Sequence, residues 1–185
     1  MAAVTDIKQF NLNNGQLAER KEFITVAEWQ EPTHDGTTTG VEQVRAILGV
    51  RTEDSSIDYN ADIQQSTDVR GNNYTDVNKT QPTQTFDPHP IMGGDRLSAF
   101  LNDIRRRNAL SELNQFTVYV ITKFIGDSTN GYEAEKHEDC TIAYTSMGGD
   151  SRVNFPYEVY FSNKITNGTV DKIAEDFTFT PDATV

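Results

Sequence analysis

Alternation of apolar and polar residues dominates the chain and predicts a protein built mainly from β-strands. In the segment that begins at Lys21, Ile24 and Val26 fall on one side of a strand, and Ala27 and Trp29 fall on the other. Because successive side chains of a strand point to opposite faces, this pattern indicates a strand with at least one buried face. Further strands are predicted at 41–48, 115–125, 132–145, 153–161 and 176–181.

Glycine, proline and asparagine mark the turns between these segments. The apolar positions of 41–48 also fit helical spacing, but the glycines on both sides favour a strand. The strands after residue 115 follow one another through short connections, which predicts an antiparallel meander with 115–125 as its central strand. Turns are predicted at 31–36, 126–131, 147–150 and 167–168.

A polar segment, 51–85, predicts a long projecting hairpin. Its apolar residues recur at alternate positions, and Arg70-Gly-Asn-Asn73 provides a turn at its centre. A hairpin that is polar on both faces is unstable alone in water. We therefore expect this hairpin to be ordered by a neighbouring subunit, and we expect a deletion from Asn60 to Gln81 to leave a folded domain that cannot polymerise.

One amphipathic helix is predicted at about 96–108. The residues Leu97, Phe100, Leu101 and Ile104 form a single apolar stripe. If the Phe100 ring is fully buried, its replacement by alanine should cost roughly 3 to 5 kcal/mol.

Polar residues at both ends of this segment predict how the helix is capped. Asp95 occupies the N-cap position and Asn108 can adopt a left-handed C-cap. The basic triplet Arg105–Arg107 lies in the last turn, where we expect it to pair with acidic side chains and to complement the helix dipole. The preceding Gly93-Gly94 pair lacks a phosphate-loop pattern, and an acid at the helix start would repel phosphate, so capping is the better interpretation.

The chain is strongly acidic, and its charge restricts the partners to be expected. It has 28 acidic against 16 basic residues and a net charge of −12. Such a surface opposes the phosphate neutralisation that drives conventional DNA binding, but it suits a surface that DNA passes without adhering. No apolar run approaches the roughly 18 residues of a membrane span, and the lone Cys140 cannot form an intrachain disulfide.

Candidate catalytic and metal-binding residues are few. His137 and Cys140, with His89 or His34, could supply zinc ligands, but 137 and 140 differ by an odd number and should point to opposite faces of a strand. No nucleophile elbow accompanies the cysteine, which is more simply a small buried apolar residue. We therefore predict no catalytic residue, no cofactor and no metal site, and we do not expect an enzyme.

Several short motifs occur in a characteristic order over most of the chain. They are Thr39-Gly-Val-Glu42 with Arg45, Thr85-Phe-Asp-Pro88, Gly94-Asp-Arg-Leu97, the strand Phe116–Phe124, Tyr132-Glu-Ala-Glu135, Cys140, Gly148-Gly149, the strand Pro156–Phe161 and Phe177-Thr178. This order, with one helix and a long polar hairpin, resembles the major tail tube protein family of long-tailed bacteriophages.

The resemblance implies a single domain over 1–185, a β-sandwich or barrel with one flanking helix. It implies a virion protein, assembled in the host cytoplasm, that forms stacked hexameric rings. The rings would build a tail tube, an acidic-lined conduit for DNA ejection. The implied partners are other copies of the chain, tape-measure, tail terminator and baseplate proteins, and DNA that passes through the lumen without specific binding; no membrane is involved.

Two alternatives remain from other classes of protein. The first is a monomeric or dimeric β-sandwich binding module, of a carbohydrate-binding or adhesin-like kind, which an exposed cluster of Tyr157, Tyr160, Phe177 and Phe179 would support. The second is a hydrolase that uses His137 or Cys140.

Overall fold

The structure is a computed structural model that describes residues 8–34, 39–52, 55–77 and 79–183. Strands account for 46% of the chain and helices for 12%, so the predicted class, a mainly β, sandwich-like fold with one α-helix, is confirmed. The strands are β1 (Phe23–His34), β2 (Thr39–Ile47), β3 (Ile57–Asp58), β4 (Ile63–Thr67), β5 (Asn73–Val77), β6 (Thr83–Phe86), β7 (Phe116–Asp127), β8 (Gly131–Tyr144), β9 (Tyr157–Tyr160), β10 (Lys164–Val170) and β11 (Phe179–Pro181). The helix is α1 (Arg96–Arg107), and short 3-10 turns occupy Arg20–Glu22 and Leu110–Asn114.

The chain divides into two compact units, which the sequence did not indicate. The first unit holds the residues up to Leu48, then 115–138, and those from Asn163 onward. The second holds 49–114 and 139–162, and β8 runs from the first unit into the second. The assignment of 1–185 as a single domain stays a prediction.

The first unit is built on antiparallel pairs, of which the β1–β7 pair is buried on both faces. β1 pairs with β2 and β7, β10 pairs with β8, and β11 pairs with β10. On one face, Val26 and Ile121 belong to a cluster of buried apolar residues that also contains Phe177. On the other face, Ala27 and Val118 are fully buried as well. The prediction of a β1 strand with at least one buried face, and of 115–125 as a central strand, is confirmed.

A charged pair is embedded in this unit beside aromatic rings. Glu28 and Arg45 are register partners on β1 and β2, and Arg45 Nε donates to Glu28 Oε2 at 2.5 Å. The guanidinium lies 4.4 Å from the Phe177 ring centroid and donates to the Phe177 carbonyl at 2.6 Å. The pKa of Tyr119 is raised to about 12, mainly by burial and then by the negative charge of Glu28. The positive charge of Arg45 opposes this shift.

The second unit is built from short strands and the helix. The second part of β8 pairs with β9, β9 pairs with β6, and β6 pairs with β3. Phe86 of β6 stacks on Tyr157 of β9 with ring centroids 4.9 Å apart. Leu97, Leu101 and Ile104 of α1 are buried as predicted.

The helix has the predicted ends, but its buried side differs at one position. Asp95 accepts the Ser98 N–H at 3.1 Å, and Asn108 has φ 55° in the left-handed region. The Phe100 ring is only half-buried, whereas Ser98 is buried, so the condition for a large Phe100→Ala effect is not met. Among the described residues, no helix is long and apolar enough to cross a membrane.

The predicted turn at 167–168 is wrong, and the predicted turn at 31–36 begins too early, because strand structure extends into both segments. β1 runs on to His34, so residues 31–34 of the predicted turn are strand, and 35–36 lie outside the described residues. The predicted turn at 167–168 lies inside β10. A Cβ on Gly168 would come within 2.3 Å of the Thr180 carbonyl oxygen, so this glycine permits close approach of β11 rather than a turn.

The predicted meander is correct for part of its length. The connection from β8 to β9 is a longer loop than the predicted 147–150 turn, and within it Gly148 bridges to Asn154. β10 then pairs with β8 instead of β9, which pairs with β6. The reason is that β8 is long enough to pair β10 along its first part and β9 along its second.

Candidate assembly surfaces

The predicted hairpin is present, and its outer part is a two-stranded ribbon. β4 and β5 pair antiparallel, with Ile63 opposite Val77 and Thr67 opposite Asn73, and form a sheet of their own. All residues of both strands are exposed. We call residues 63–77 the ribbon. It is marginally stable by itself, because an isolated two-stranded hairpin buries too little surface.

The two faces of the ribbon differ in polarity. Residues directly opposite one another in an antiparallel pair share a face. One face therefore carries Ile63 and Val77, which are 58% and 61% exposed. The other carries the Gln64–Asp76 pair, with Ser66 opposite Tyr74. The ribbon thus presents the apolar pair Ile63–Val77 on one side of its β4–β5 ladder and the exposed ring of Tyr74 on the other.

The tip and the base of the hairpin are closed by hydrogen bonds. At the tip, the Asp68 carboxylate accepts the N–H groups of Arg70 and Asn72, and these bonds lower its pKa to about 2. At the base, the Asn60 amide donates to the Gln81 carbonyl at 3.0 Å. The ribbon is therefore a locally determined structure rather than an irregular loop.

The second exposed backbone surface is the strand β2, which is the end strand of its sheet and pairs with β1 alone among the described strands. It contains neither lysine nor proline, and Val41 is exposed. An end strand without such residues offers unpaired backbone groups to another chain.

A groove lies along one side of the helix in the second unit. It encloses about 310 Å³ and is lined by Ile91, Met92, Gly94, Asp95, Arg96, Ser98, Ala99, Asn102 and Met147. We call it the α1 groove. Its accessible apolar side chains include Ile91 and Met147, which are 41% and 49% exposed. Sequence analysis missed it because the segment 91–102, which supplies most of the lining, has no distinctive binding motif, and Met147 joins it only in the folded chain.

The polar side chains at the start of the helix have a structural role. His89 Nε2 lies 2.9 Å from Asp95 Oδ2, and the Ser98 N–H reaches Asp95 Oδ1. Burial raises the pKa of Asp95, but the bonds from His89 and Ser98 outweigh burial and leave it below the ordinary value. His89 is itself buried, and among the described residues its Nδ1 and the Ser98 hydroxyl have no protein partner. The predicted capping role of Gly94-Asp95 is confirmed.

The candidate metal and hydrolase residues do not converge. His137 and Cys140 are both buried. Asp139 between them has φ 57°, which interrupts the strand alternation, so the argument that they point to opposite faces fails. Within the described ranges, no three histidine, cysteine or acidic side chains are placed to hold a metal ion, and the side chain of His34 lies outside them.

The aromatic cluster that would support a binding module is not formed. Tyr157 and Phe177 are buried, Phe179 is half-buried, and Tyr160 is exposed. Alternation along β9 explains the tyrosines, because Tyr157 and Tyr160 are separated by an odd number of residues.

The charged residues are partly paired. Arg107 bonds to Asp103 and to both oxygens of Glu112, which confirms pairing for this arginine, whereas Arg105 bonds to the amide of Asn102. Other acidic side chains form the ion pairs Lys8–Glu133, Lys136–Glu138 and Lys172–Asp176. Glu53 and Asp54 lie outside the described residues.

No known protein family, curated protein or solved structure matches this chain.

Proposed function

We propose that this chain is a structural subunit that polymerises as stacked hexameric rings into the tail tube of a long-tailed bacteriophage. The tube would be an acidic-lined conduit for DNA ejection. Assembly in the host cytoplasm with tape-measure, tail terminator and baseplate proteins, and a final location in the virion tail, form part of this proposal. The observation that carries it is the exposed ribbon.

The ribbon supports assembly because its structure is ordered while its surface is uncovered. Its tip is closed around Asp68, yet Ile63 and Val77 face solvent. Exposing a valine or isoleucine side chain forgoes roughly 1.5–3 kcal/mol of burial free energy. A second copy of the chain that covered this face would recover part of it.

The end strand β2 supports closure into a ring. A nine-residue strand at the end of a sheet, with a strand partner on one side only among the described strands, is an aggregation hazard in a monomer. Head-to-tail contacts that close on themselves remove this hazard, because each copy covers the edge of the next. A ring with repeated edge-to-edge contacts satisfies that requirement.

The charge supports passage of DNA without adhesion. With 28 acidic against 16 basic residues, the chain opposes binding of a polyanion. Stacking copies multiplies this field along a tube.

The test is negative-stain electron microscopy of the full chain at low and high concentration, with mass measured in parallel. Six-fold rings or hollow tubes that accumulate with concentration are expected. A chain that stays monomeric at every concentration overturns the proposal.

A deletion variant tests the role of the ribbon in the same assay. The base of the hairpin brings Tyr59 and Gln81 together, since the Gln81 N–H donates to the Tyr59 carbonyl. Replacing 60–81 by a short glycine linker should therefore leave a folded chain that forms no tubes. Circular dichroism and thermal unfolding supply the control for folding, and tubes of normal length from this variant would contradict the role given to the ribbon.

A further inference from the structure

We propose that a concave site in the second unit, which contains Arg51 and Arg152, binds an oxyanion, either a carboxylate or a phosphate group. We call it the arginine site. This inference goes beyond the proposed function and does not depend on it, because the site includes neither the ribbon nor β2.

The arginine site is a concavity of about 470 Å³ with a largely polar lining. It is lined by Arg51, Pro88, Pro90, Asp150, Ser151, Arg152 and Asn154. The guanidinium groups, the serine hydroxyl and the asparagine amide can all donate hydrogen bonds. Two positive charges face one negative charge, so the site is net positive in a chain whose net charge is −12. Such a lining favours an anion over a cation or an apolar group.

The two arginines of the site have no acidic partner, although other arginines of the chain do. Arg45 bonds to Glu28, and Arg107 bonds to two acidic side chains. Within the described ranges, the side chains of Arg51 and Arg152 form no hydrogen bond or ion pair, not even with the aspartate that shares their site. A guanidinium presents parallel N–H donors that match the two oxygens of a carboxylate or phosphate. Both groups are therefore available to bind such an anion.

Hydrogen bonds fix the three segments that carry the site. The Ile91 N–H donates to the Val153 carbonyl at 3.0 Å, which joins the segment of the two prolines to the segment of the second arginine. The Thr52 hydroxyl donates to the Pro88 carbonyl at 3.3 Å, which joins the turn of the first arginine to the same proline segment. Because these segments are bonded together, the site exists before a ligand arrives, and binding does not have to assemble it.

The backbone at Arg51 is a second, independent sign of a role for its side chain. Arg51 has φ 64°, in the left-handed region. The other described non-glycine residues in this region are asparagine or aspartate, which tolerate it. The turn alone would therefore be formed with less strain by glycine or asparagine. Strain of this kind at a surface arginine points to a function of the guanidinium.

The arginine site suits a single anionic group rather than DNA. Binding of a duplex depends on many phosphate contacts along a basic surface, and two arginines in one concavity do not provide such a surface. The inference is therefore compatible with DNA that passes the chain without adhering.

Titration of inorganic phosphate into the full chain tests the site, with chloride used to keep the ionic strength constant. NMR of the arginine Nε–Hε groups should show saturable shifts of the Arg51 and Arg152 signals. Arg152→Gln should weaken phosphate binding by about tenfold or more, because it removes charge-assisted hydrogen bonds. The matched control is Arg106→Gln, which removes an exposed arginine outside the site and should leave binding unchanged.

Arg51→Asn separates a binding role from a structural role. Asparagine tolerates the left-handed backbone, so this variant should unfold at the same or a higher temperature than the parent chain. It should nevertheless bind phosphate more weakly. A variant that is stabilised and binds phosphate as tightly as the parent would show that Arg51 does not contact the anion.

Assembly in the presence of phosphate distinguishes the two sources of the oxyanion. If phosphate and Arg152→Gln both raise the concentration at which tubes appear, whereas Arg106→Gln does not, the natural ligand is a carboxylate of a second copy. If the chain binds phosphate and tube formation is indifferent to both, the ligand is a free anion. No saturable shift of either arginine signal, or a shift that Arg152→Gln leaves unchanged, overturns the site. Failure of the unsubstituted chain to form tubes overturns the proposed function alone.

Discussion

Two antiparallel pairs of strands in this protein have the same backbone geometry and opposite surroundings. The β1–β7 pair has Val26 and Ile121 in a buried cluster on one face, and Ala27 and Val118 buried on the other. The β4–β5 ribbon has every strand residue exposed. The first pair is stabilised by packing within its own chain, whereas the second is held by ladder bonds, turn bonds and the exposed side-chain bond from Thr67 to Asn73.

This difference shows that strand formation and strand stabilisation are separate questions. Alternation and a good turn are sufficient to form the ribbon, because Asp68 satisfies the backbone donors at its tip. They do not bury its apolar pair. Since folding within the chain leaves Ile63 and Val77 exposed, any benefit from those residues has to come from association.

The largest expected effect is on the free energy of unfolding, and it compares the same substitution in the two pairs. Ile121→Ala should cost about 2–5 kcal/mol because Ile121 is fully buried. Ile63→Ala should change stability by less than about 0.5 kcal/mol because its side chain lies largely in solvent. Urea unfolding of dilute, unassembled protein measures both values. Similar costs for the two variants would contradict the contrast.

The second expected effect is a loss of stability at alkaline pH that arises in the packed pair. Burial is the main cause that raises the pKa of Tyr119, on β7, to about 12 in the folded chain. In the unfolded chain the same phenol ionises at lower pH, near 10. The contribution of the neutral phenol is full below pH 10 and is lost as the pH rises towards 12, by about 1 to 2 kcal/mol. Unfolding followed from pH 8 to 12 should show this loss in the parent chain and a smaller one in Tyr119→Phe. Identical pH profiles would show that Tyr119 ionises as freely in the folded chain as in the unfolded one.

The smallest expected effect is local and belongs to the ribbon tip. The Asp68 carboxylate should titrate at about 2, because the folded tip donates hydrogen bonds to its charged form. The stabilisation of the tip by these bonds is complete above the ordinary aspartate pKa, and it is lost as the pH falls through about 2. NMR titration of the side-chain carboxyl carbon measures the value. A pKa close to the ordinary aspartate value of 3.8 would mean that the tip is not formed in the unassembled chain.

Several elements could be predicted because short-range interactions specify them. Asp95 and Asn108 cap α1 as expected, since each acts on backbone groups within one turn. The hairpin turn near 70–73 was also predictable, because its bonds join neighbours in sequence. The predicted strands at 21–30, 41–48 and 115–125 were confirmed for the same reason, since alternation is a local pattern.

Other features depended on residues that are distant in sequence. Gly168 resembles a turn residue until the position of Thr180 shows that it permits close packing of two strands. Phe100 fits the apolar stripe of α1, yet Ser98 is buried in preference to it. The left-handed Asp139 changes the alternation along β8, and nothing in the sequence around it indicates such a bulge.

The sequence by itself determined the mainly β class, the position and caps of the helix, and the existence of a polar hairpin, because propensity, alternation and turn chemistry act over a few residues. Only the tertiary structure decided that Ile63 and Val77 lie opposite one another on one face of the ribbon, which strand ends its sheet, and that Ile91 and Met147 share a groove beside α1. These features depend on register and on long-range packing, in which a shift of one residue moves every side chain to the opposite face.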